Sequence, residues 1–366
     1  MSVSDTTSAG MEEDRQDNEG ADQASSREPD AREIVNSYIT KQNVVDFIKL
    51  QELREKGWQN PEADTVFAKQ RNVADKPSEA TAAHFFRLMK DIAADMTRSC
   101  GAFDLSRVEG PSTVLDTCFA PGGFAQYLLD EGHVSSIKAF TLPPDIGGHK
   151  IFAKDPKLHV EEIDVTMLAG EMGLTAADVP PSHPDAANFV YKNMIDECEK
   201  FDLVICDGMV LRTHTRHLYR ESSEGCRLSS VQFYMALQHI KAGGTMVVLL
   251  HKPEAFYNVK LMHRFSQFSQ VTLFKPKRAH AHRSSFYMVA KNIQPDHDAV
   301  TEILTNCKET WRVATFGTEE EFRAFVWHRP EDAQALMEVF GERFIGLAKK
   351  VWRIQCHALA KKSWTV

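Results

Sequence analysis

The sequence predicts an α/β fold: a mostly parallel, seven-stranded sheet covered by helices on both faces, with an antiparallel strand at its edge. Three observations lead there. Short apolar runs of strand length alternate with amphipathic runs of helical length from Thr113 to Lys291. The first run breaks at Pro121-Gly122-Gly123 and a helical pattern follows at once, a strand–turn–helix junction. The last two runs are joined by a basic linker without a helical pattern, which fits an antiparallel pair better than a crossover.

Residues 1–30 contain nine acids, two bases and no aromatic residue. Such a composition buries too little surface to offset the entropy of ordering, so a disordered acidic tail is expected. It holds nearly all of the net charge of −8, which leaves the body of the chain close to neutral. Residues 31–110 read as an N-terminal helical segment. Ile34, Tyr38, Val44, Val45, Ile48 and Leu53 recur at helical spacing, and Pro61 to Pro77 reads as a connection with room for a short helix. Ser78 is an N-cap candidate for a helix with Phe85, Phe86, Leu88, Met89 and Ile92 on its apolar side.

Residues 111–293 carry the alternation. Strands are expected at Thr113–Phe119, Ser136–Leu142, Leu158–Asp164, Phe201–Asp207, Thr245–His251, Gln270–Phe274 and Ser285–Lys291. Helical patterns lie at Phe124–Glu131, Asp185–Lys200, Leu228–Lys241 and Tyr257–Ser269. Residues 294–366 turn helical again, with Val300, Ile303, Phe322, Leu336, Phe340 and Val351 among the periodic positions, and form a C-terminal extension.

With 366 residues and 43% hydrophobic composition the chain can bury a substantial core. No apolar run approaches the roughly 20 residues of a membrane helix. The N-terminus has no apolar h-region of a secretory signal, and the seven cysteines are scattered without a C-x-x-C pair. A reduced, intracellular chain is expected, cytoplasmic or nuclear rather than secreted. His280-x-His282 and His214-x-x-His217 have no cysteine partner nearby, so no metal site is expected.

The chemistry centres on Val114 to Phe124. Asp116 sits at the end of the first strand, and Gly122 and Gly123 lack a Cβ, so a ligand can lie close to the main chain there. A dinucleotide is the obvious competitor, but its G-x-G-x-x-G fingerprint is absent and Pro121 has no N–H to offer a phosphate. Carboxylates end two further strands, at Asp164 and Asp207. A carboxylate at a strand end also serves as a helix N-cap, and that reading stands beside each.

Four stretches taken in order resemble the FtsJ-type, Rossmann-like S-adenosylmethionine-dependent RNA methyltransferases, and among these the fungal FtsJ-like domain proteins. They are Leu115-Asp116-Thr117-Cys118-Phe119-Ala120-Pro121-Gly122-Gly123-Phe124, then Phe201 to Asp207, then Leu237 to Thr245, then Lys275-Pro276 followed by Ser284 to Ala290. The resemblance implies 2′-O-methylation of RNA ribose with S-adenosylmethionine as cofactor. It places the cofactor against Asp116, Ala120, Pro121, Gly122, Gly123, Phe124, Leu142, Asp164 and Asp207, with Asp164 accepting from the adenine amine.

The family's Lys-Asp-Lys-Glu tetrad is only partly matched. Asp207 fits the aspartate. Lys90 fits the first lysine, with Arg87 one helical turn back as the competing match. The second lysine falls at Leu249, and Lys252 stands three residues later. The glutamate falls at Ser285, which carries no charge. The expected active centre is therefore Lys90, Asp207 and a displaced Lys252. Arg212, His214, Arg216, His217 and Arg220, with Lys275, Lys277, Arg278, His280, His282 and Arg283, would form a positive rim suited to RNA phosphates. No feature calls for DNA or a membrane. Two other readings stay open: an RNA-binding or scaffold protein that keeps the fold without catalysis, and a small-molecule O-methyltransferase.

Overall fold

The computed structural model describes residues 30–75, 77–106 and 108–365; the acidic tail expected at residues 1–30 lies outside them except for Asp30. The seven strands are β1 (Ser112–Asp116), β2 (Val134–Thr141), β3 (Leu158–Glu162), β4 (Phe201–Cys206), β5 (Ile240–His251), β6 (Gln270–Phe274) and β7 (Ser285–Lys291). They form one sheet in the order β3-β2-β1-β4-β5-β7-β6. The first five are parallel, and β7 runs antiparallel to both β5 and β6. The antiparallel strand is thus one place in from the edge, and β6 forms the edge itself.

Alternate residues of the strands feed two cores, as a period of two requires. Val114 of β1 and Leu203 and Ile205 of β4 face one side, and Leu115, Val204 and Cys206 face the other. Helices α4 (Glu79–Cys100) and α5 (Gly123–Glu131) cover the first face. The second is covered by α6 (Glu224–His239), α7 (Phe256–Phe268), α8 (Asp298–Phe316) and α10 (Pro330–Leu359), with the short α9 (Glu319–Val326) beside them. The N-terminal α1 (Ala31–Lys41) and α2 (Val45–Trp58) pack on α10 and share that core. Trp311 and Trp352 are fully buried in it.

Two expectations are revised. Pro61 to Pro77, read as a connection with room for a short helix, holds one of 15 residues, α3 (Pro61–Asp75). Pro61 occupies the first helical position, where its missing N–H costs nothing, and the Asn60 side chain accepts from the Glu62 N–H at 2.9 Å. No helix forms at Asp185–Lys200. There the backbone donors are taken by side chains instead of by carbonyls four residues back: Glu171 accepts from Met194 and Ile195, and Asp196 from Cys198. The apolar residues Phe189 and Ile195 are buried as separate anchors of an irregular segment.

Among the described residues no helix is long and apolar enough to cross a membrane. All seven cysteines are free thiols.

Candidate active site

The carboxyl ends of the parallel strands open into a cleft of ≈ 670 Å³, where open α/β sheets bind ligands and within the usual size of small-molecule sites. The parallel strands' ends contribute to its wall: Thr117, Cys118, Ala120 and Pro121 after β1, Thr141 and Leu142 at the end of β2, Asp164 to Thr166 after β3, Asp207 to Thr215 after β4, and Leu249 of β5. Ser285 and Tyr287 of β7 and His280 of the β6–β7 linker close one side. The apolar face of α4, with Phe85, Leu88, Met89 and Ile92, closes another.

Behind the cleft wall, Asp116 lies in register with Ile205, which brings it beside the end of β4 and hence beside Asp207. Asp116 is 2% exposed and accepts from the Cys118 N–H at 3.2 Å. Burial lifts its carboxyl to about 7. Burial, together with the charge of Asp116, lifts Asp207 well above the carboxylate range; the Tyr287 hydroxyl facing it acts in the opposite sense. Asp207 Oδ1 is buried without a hydrogen-bond partner. No cationic side chain among the described residues offsets either carboxyl. Such a pair calls for a cation or a hydrogen-bond donor from a ligand.

Of the cofactor positions expected from sequence, Ala120, Pro121, Leu142, Asp164 and Asp207 stand on the cleft wall, and Asp116, Gly122, Gly123 and Phe124 stand behind it. The two glycines are also constrained by the protein itself. A Cβ on Gly122 would lie 2.6 Å from the Phe119 ring, and one on Gly123 would strike the Phe86 carbonyl oxygen. Their bareness admits protein neighbours, and with them the docking of α4 on α5. Phe124 is 1% exposed and packs its ring against Phe103 and Tyr287 at 5.4 and 6.0 Å. Asp164 does two things at once: Oδ1 accepts from the Thr166 N–H and hydroxyl at 3.0 and 2.7 Å, which caps a short turn, while Oδ2 lies 3.4 Å from Arg220.

The lysines are not brought to the cleft. Lys90 points along α5 and pairs with Asp130 at 2.6 Å, outside the cleft wall. The face of α4 turned to the cleft is its apolar stripe. Lys252 leaves β5 in the left-handed region, φ 50°, with its N–H on the Ser284 carbonyl, and its side chain is not part of the wall either. Leu249 and Ser285, where the tetrad's lysine and glutamate would fall, do line the cleft near Asp207. Leu249 pairs with Tyr287 across β5 and β7. Tyr287 was not anticipated, although it lies two residues from Ser285 on the same face of a strand.

Sequence also missed a buried charged cluster on the cleft wall. Arg220, 4% exposed, lies 3.4 to 3.7 Å from Asp164, Asp185 and Glu224. Arg227, fully buried, donates to the Thr166 carbonyl at 3.0 Å. These arginines were assignable only once α6 and the loop before it were folded over β3.

The expected positive rim is smaller than the sequence suggested. Lys275, His282 and Arg283 are buried, as is Arg220, and Arg216 is paired with Glu221. The Lys275 ammonium is consumed by the carbonyls of His280, Arg283 and Ser285. Burial depresses His214 to about 4 and His280 to about 3, so both are neutral at pH 7. Arg212, Lys277 and Arg278 remain exposed. Among the described residues no group of three His, Cys, Asp or Glu could hold a metal ion.

A model of the FtsJ-like methyltransferase family matches residues 101–293. No curated protein sequence matches the chain. Similar solved structures include a Plasmodium falciparum protein titled a ribosomal RNA methyltransferase, 16% identical over 56% of this chain and 96% of that one, TM-score 0.36. A Streptococcus mutans methyltransferase in complex with SAH is 10% identical over 52% and 95%, TM-score 0.30. An rRNA methylase from Streptococcus thermophilus is 12% identical over 52% and 93%, TM-score 0.30.

Proposed function

The chain belongs to the FtsJ-like methyltransferase family, whose cofactor is S-adenosylmethionine, and we propose that it methylates RNA, with a ribose 2′-hydroxyl as the acceptor. The observation that carries the reading is the orphaned, buried Oδ1 of Asp207 on the wall of a cleft at the sheet's carboxyl edge.

S-adenosylmethionine brings an ammonium, a carboxylate, a sulfonium, a ribose diol and an adenine, and the cleft's residues suit such a group. Asp116 and Asp207 are uncompensated acidic neighbours that favour a cation. Asp164 keeps lone pairs beyond its cap for the adenine amine, and Ala120, Pro121 and Leu142 give the apolar flanks. When bound, the cofactor supplies an electrophilic methyl group.

This chain's residues then have separable roles. Asp207 accepts the proton of the hydroxyl, a role for which a carboxyl with a raised pKa is better matched than an ordinary one. Tyr287 orients Asp207 through its hydroxyl. Arg212, Lys277 and Arg278 meet phosphates at the cleft's mouth. Lys90 and Lys252 have no part in this scheme.

The test is a tritiated-methyl transfer to total RNA by wild type and Asp207→Ala, with calorimetry of S-adenosylmethionine binding. Salt-sensitive transfer that Asp207→Ala abolishes supports the proposal; absence of saturable cofactor binding sinks it. A second reading is favoured by Leu249 and Ser285, which put two uncharged side chains where the family has charges. In it the protein binds RNA and cofactor but transfers nothing, and Asp207→Ala leaves RNA affinity unchanged.

A further inference from the structure

Asp164 reaches the cleft from the head of a short turn, Val165–Met167, and its two oxygens are engaged differently. Oδ1 is committed to the Thr166 N–H and hydroxyl, so Oδ2 is the oxygen left for a ligand. The turn itself is fixed, since the Thr166 carbonyl accepts from Arg227 at 3.0 Å and from the Trp311 indole at 2.9 Å. The direction of Oδ2 is a separate matter. Anchoring at Oδ1 alone leaves it to χ2, a broad torsion in aspartate.

Arg220 supplies the second anchor. It closes the turn Leu218–Arg220 in the loop before α6, where Leu218 faces out, 89% exposed, and Arg220 faces in. Its Nη1 lies 3.4 Å from Asp164 Oδ2, 3.3 Å from the Thr166 hydroxyl and 3.5 Å from Glu224 Oε1. On the other side Nε lies 3.7 Å from Asp185, which is held in turn by the Tyr219 hydroxyl at 2.7 Å and the Asn188 amide at 2.8 Å. Arg220, Asp164, Thr166 and Glu224 all stand on the cleft wall.

The guanidinium is a rigid, planar fork, so it sets the direction of a carboxylate as well as answering its charge. The spacing matters as much as the pairing. A full charge-assisted bond is about 2.7–2.9 Å long, whereas Nη1 stays 3.4 Å away because three carboxylates share the one guanidinium. Oδ2 is therefore aimed without being consumed.

We propose that Arg220 is a positioning residue for cofactor specificity: it aims Asp164 Oδ2 at the exocyclic amine of adenine, so that the site selects an amino purine over an oxo purine. The inference rests on the S-adenosylmethionine cofactor and on Asp164 accepting from its adenine amine. An amine offers the carboxylate a donor. The carbonyl that replaces it in hypoxanthine offers only lone pairs, and a site aimed at a hydrogen bond rejects a ligand that cannot make it. A carboxylate free to turn would weaken the first contact and escape the second, and the preference would fade.

The experiment is calorimetric titration of the full chain with S-adenosylhomocysteine and with its deaminated analogue, S-inosylhomocysteine. Wild type should prefer the adenosyl compound by about tenfold or more. Arg220→Gln should reduce that preference to within about threefold, mainly by weakening adenosyl binding. General damage to the site would weaken both compounds together and leave their ratio unchanged. Removing one buried partner of a charged cluster is strongly destabilising. Should the single variant fail to fold, Arg220→Gln combined with Glu224→Gln removes opposite charges together, and its ratio, compared with that of Glu224→Gln alone, decides. An undiminished preference in the Arg220 variants overturns the proposal and leaves the cofactor assignment intact. So does equal binding of the two compounds by wild type, which takes Asp164 away from the adenine. Binding of neither compound overturns the proposal together with the cofactor site.

Discussion

The carboxyls of Asp116 and Asp207 close neighbouring parallel strands, and the charge of Asp116 adds to burial in lifting Asp207 above the carboxylate range. A cationic ligand needs both ionised, whereas the empty pair prefers to hold protons. Asp116 titrates at about 7. S-adenosylmethionine affinity should therefore rise with pH through about 7, by at most about tenfold per unit for each carboxyl that must ionise. Calorimetry in buffers of different ionisation enthalpy should show more protons released on binding at pH 6 than at pH 8.5. A flat profile would remove the carboxyl pair from the cofactor site.

The same pair sets a stability gradient. An unfolded aspartate ionises near 3.9, but folded Asp116 keeps its proton to about 7. Between those values the folded state binds more protons, so stability falls as pH rises from about 4 to 7. Asp116→Asn lifts that penalty. Urea unfolding should find the variant more stable than wild type at pH 8 and close to it at pH 4.

Asp207→Asn preserves shape but cannot take a proton. Methyl transfer should drop by about 10²–10⁴, the usual worth of a general base. Tyr287→Phe should cost less, about tenfold in kcat with KM little changed, because it only orients Asp207. Equal losses in the two variants would mean that Tyr287 touches the acceptor itself.

Lys90→Ala is the contrasting control. Its pair with Asp130 is partly exposed, with side chains 33% and 48% accessible, and such pairs contribute about 0–1 kcal/mol. Transfer should stay within twofold of wild type. A hundredfold loss would show that the α4 lysine swings into the cleft.

The C-terminal extension is tied to the body through Glu254, which joins Arg54 of α2 to Trp352 of α10. Glu254→Ala leaves Arg54 buried without its carboxylate and should cost about 3–5 kcal/mol in urea unfolding. Arg323→Ala, which breaks an exposed pair on α9 with Glu319, should cost under about 1 kcal/mol.

Much of this was legible in the residues themselves. Strand and helix periods are local, so the alternation from β1 to β7 and the Asp116–Phe124 junction could be read directly from sequence. The signals that failed were also local. The stretch from Pro61 read as a connection with at most a short helix but forms one of 15 residues, and Asp185–Lys200 had a helical pattern that Glu171, from outside the segment, helps to replace.

The sequence by itself determined the fold class, the family and which side chains end which strands. Only the tertiary structure decided which of those side chains meet. It turned an apolar face of α4 to the cleft and carried Lys90 away to Asp130. It also buried Lys275, His282 and Arg283, which had looked like a surface rim. The reason is that charge and spacing are properties of the chain, whereas burial and pairing depend on neighbours far away in sequence, and these fix whether a lysine is a catalyst, a tether or a counter-charge.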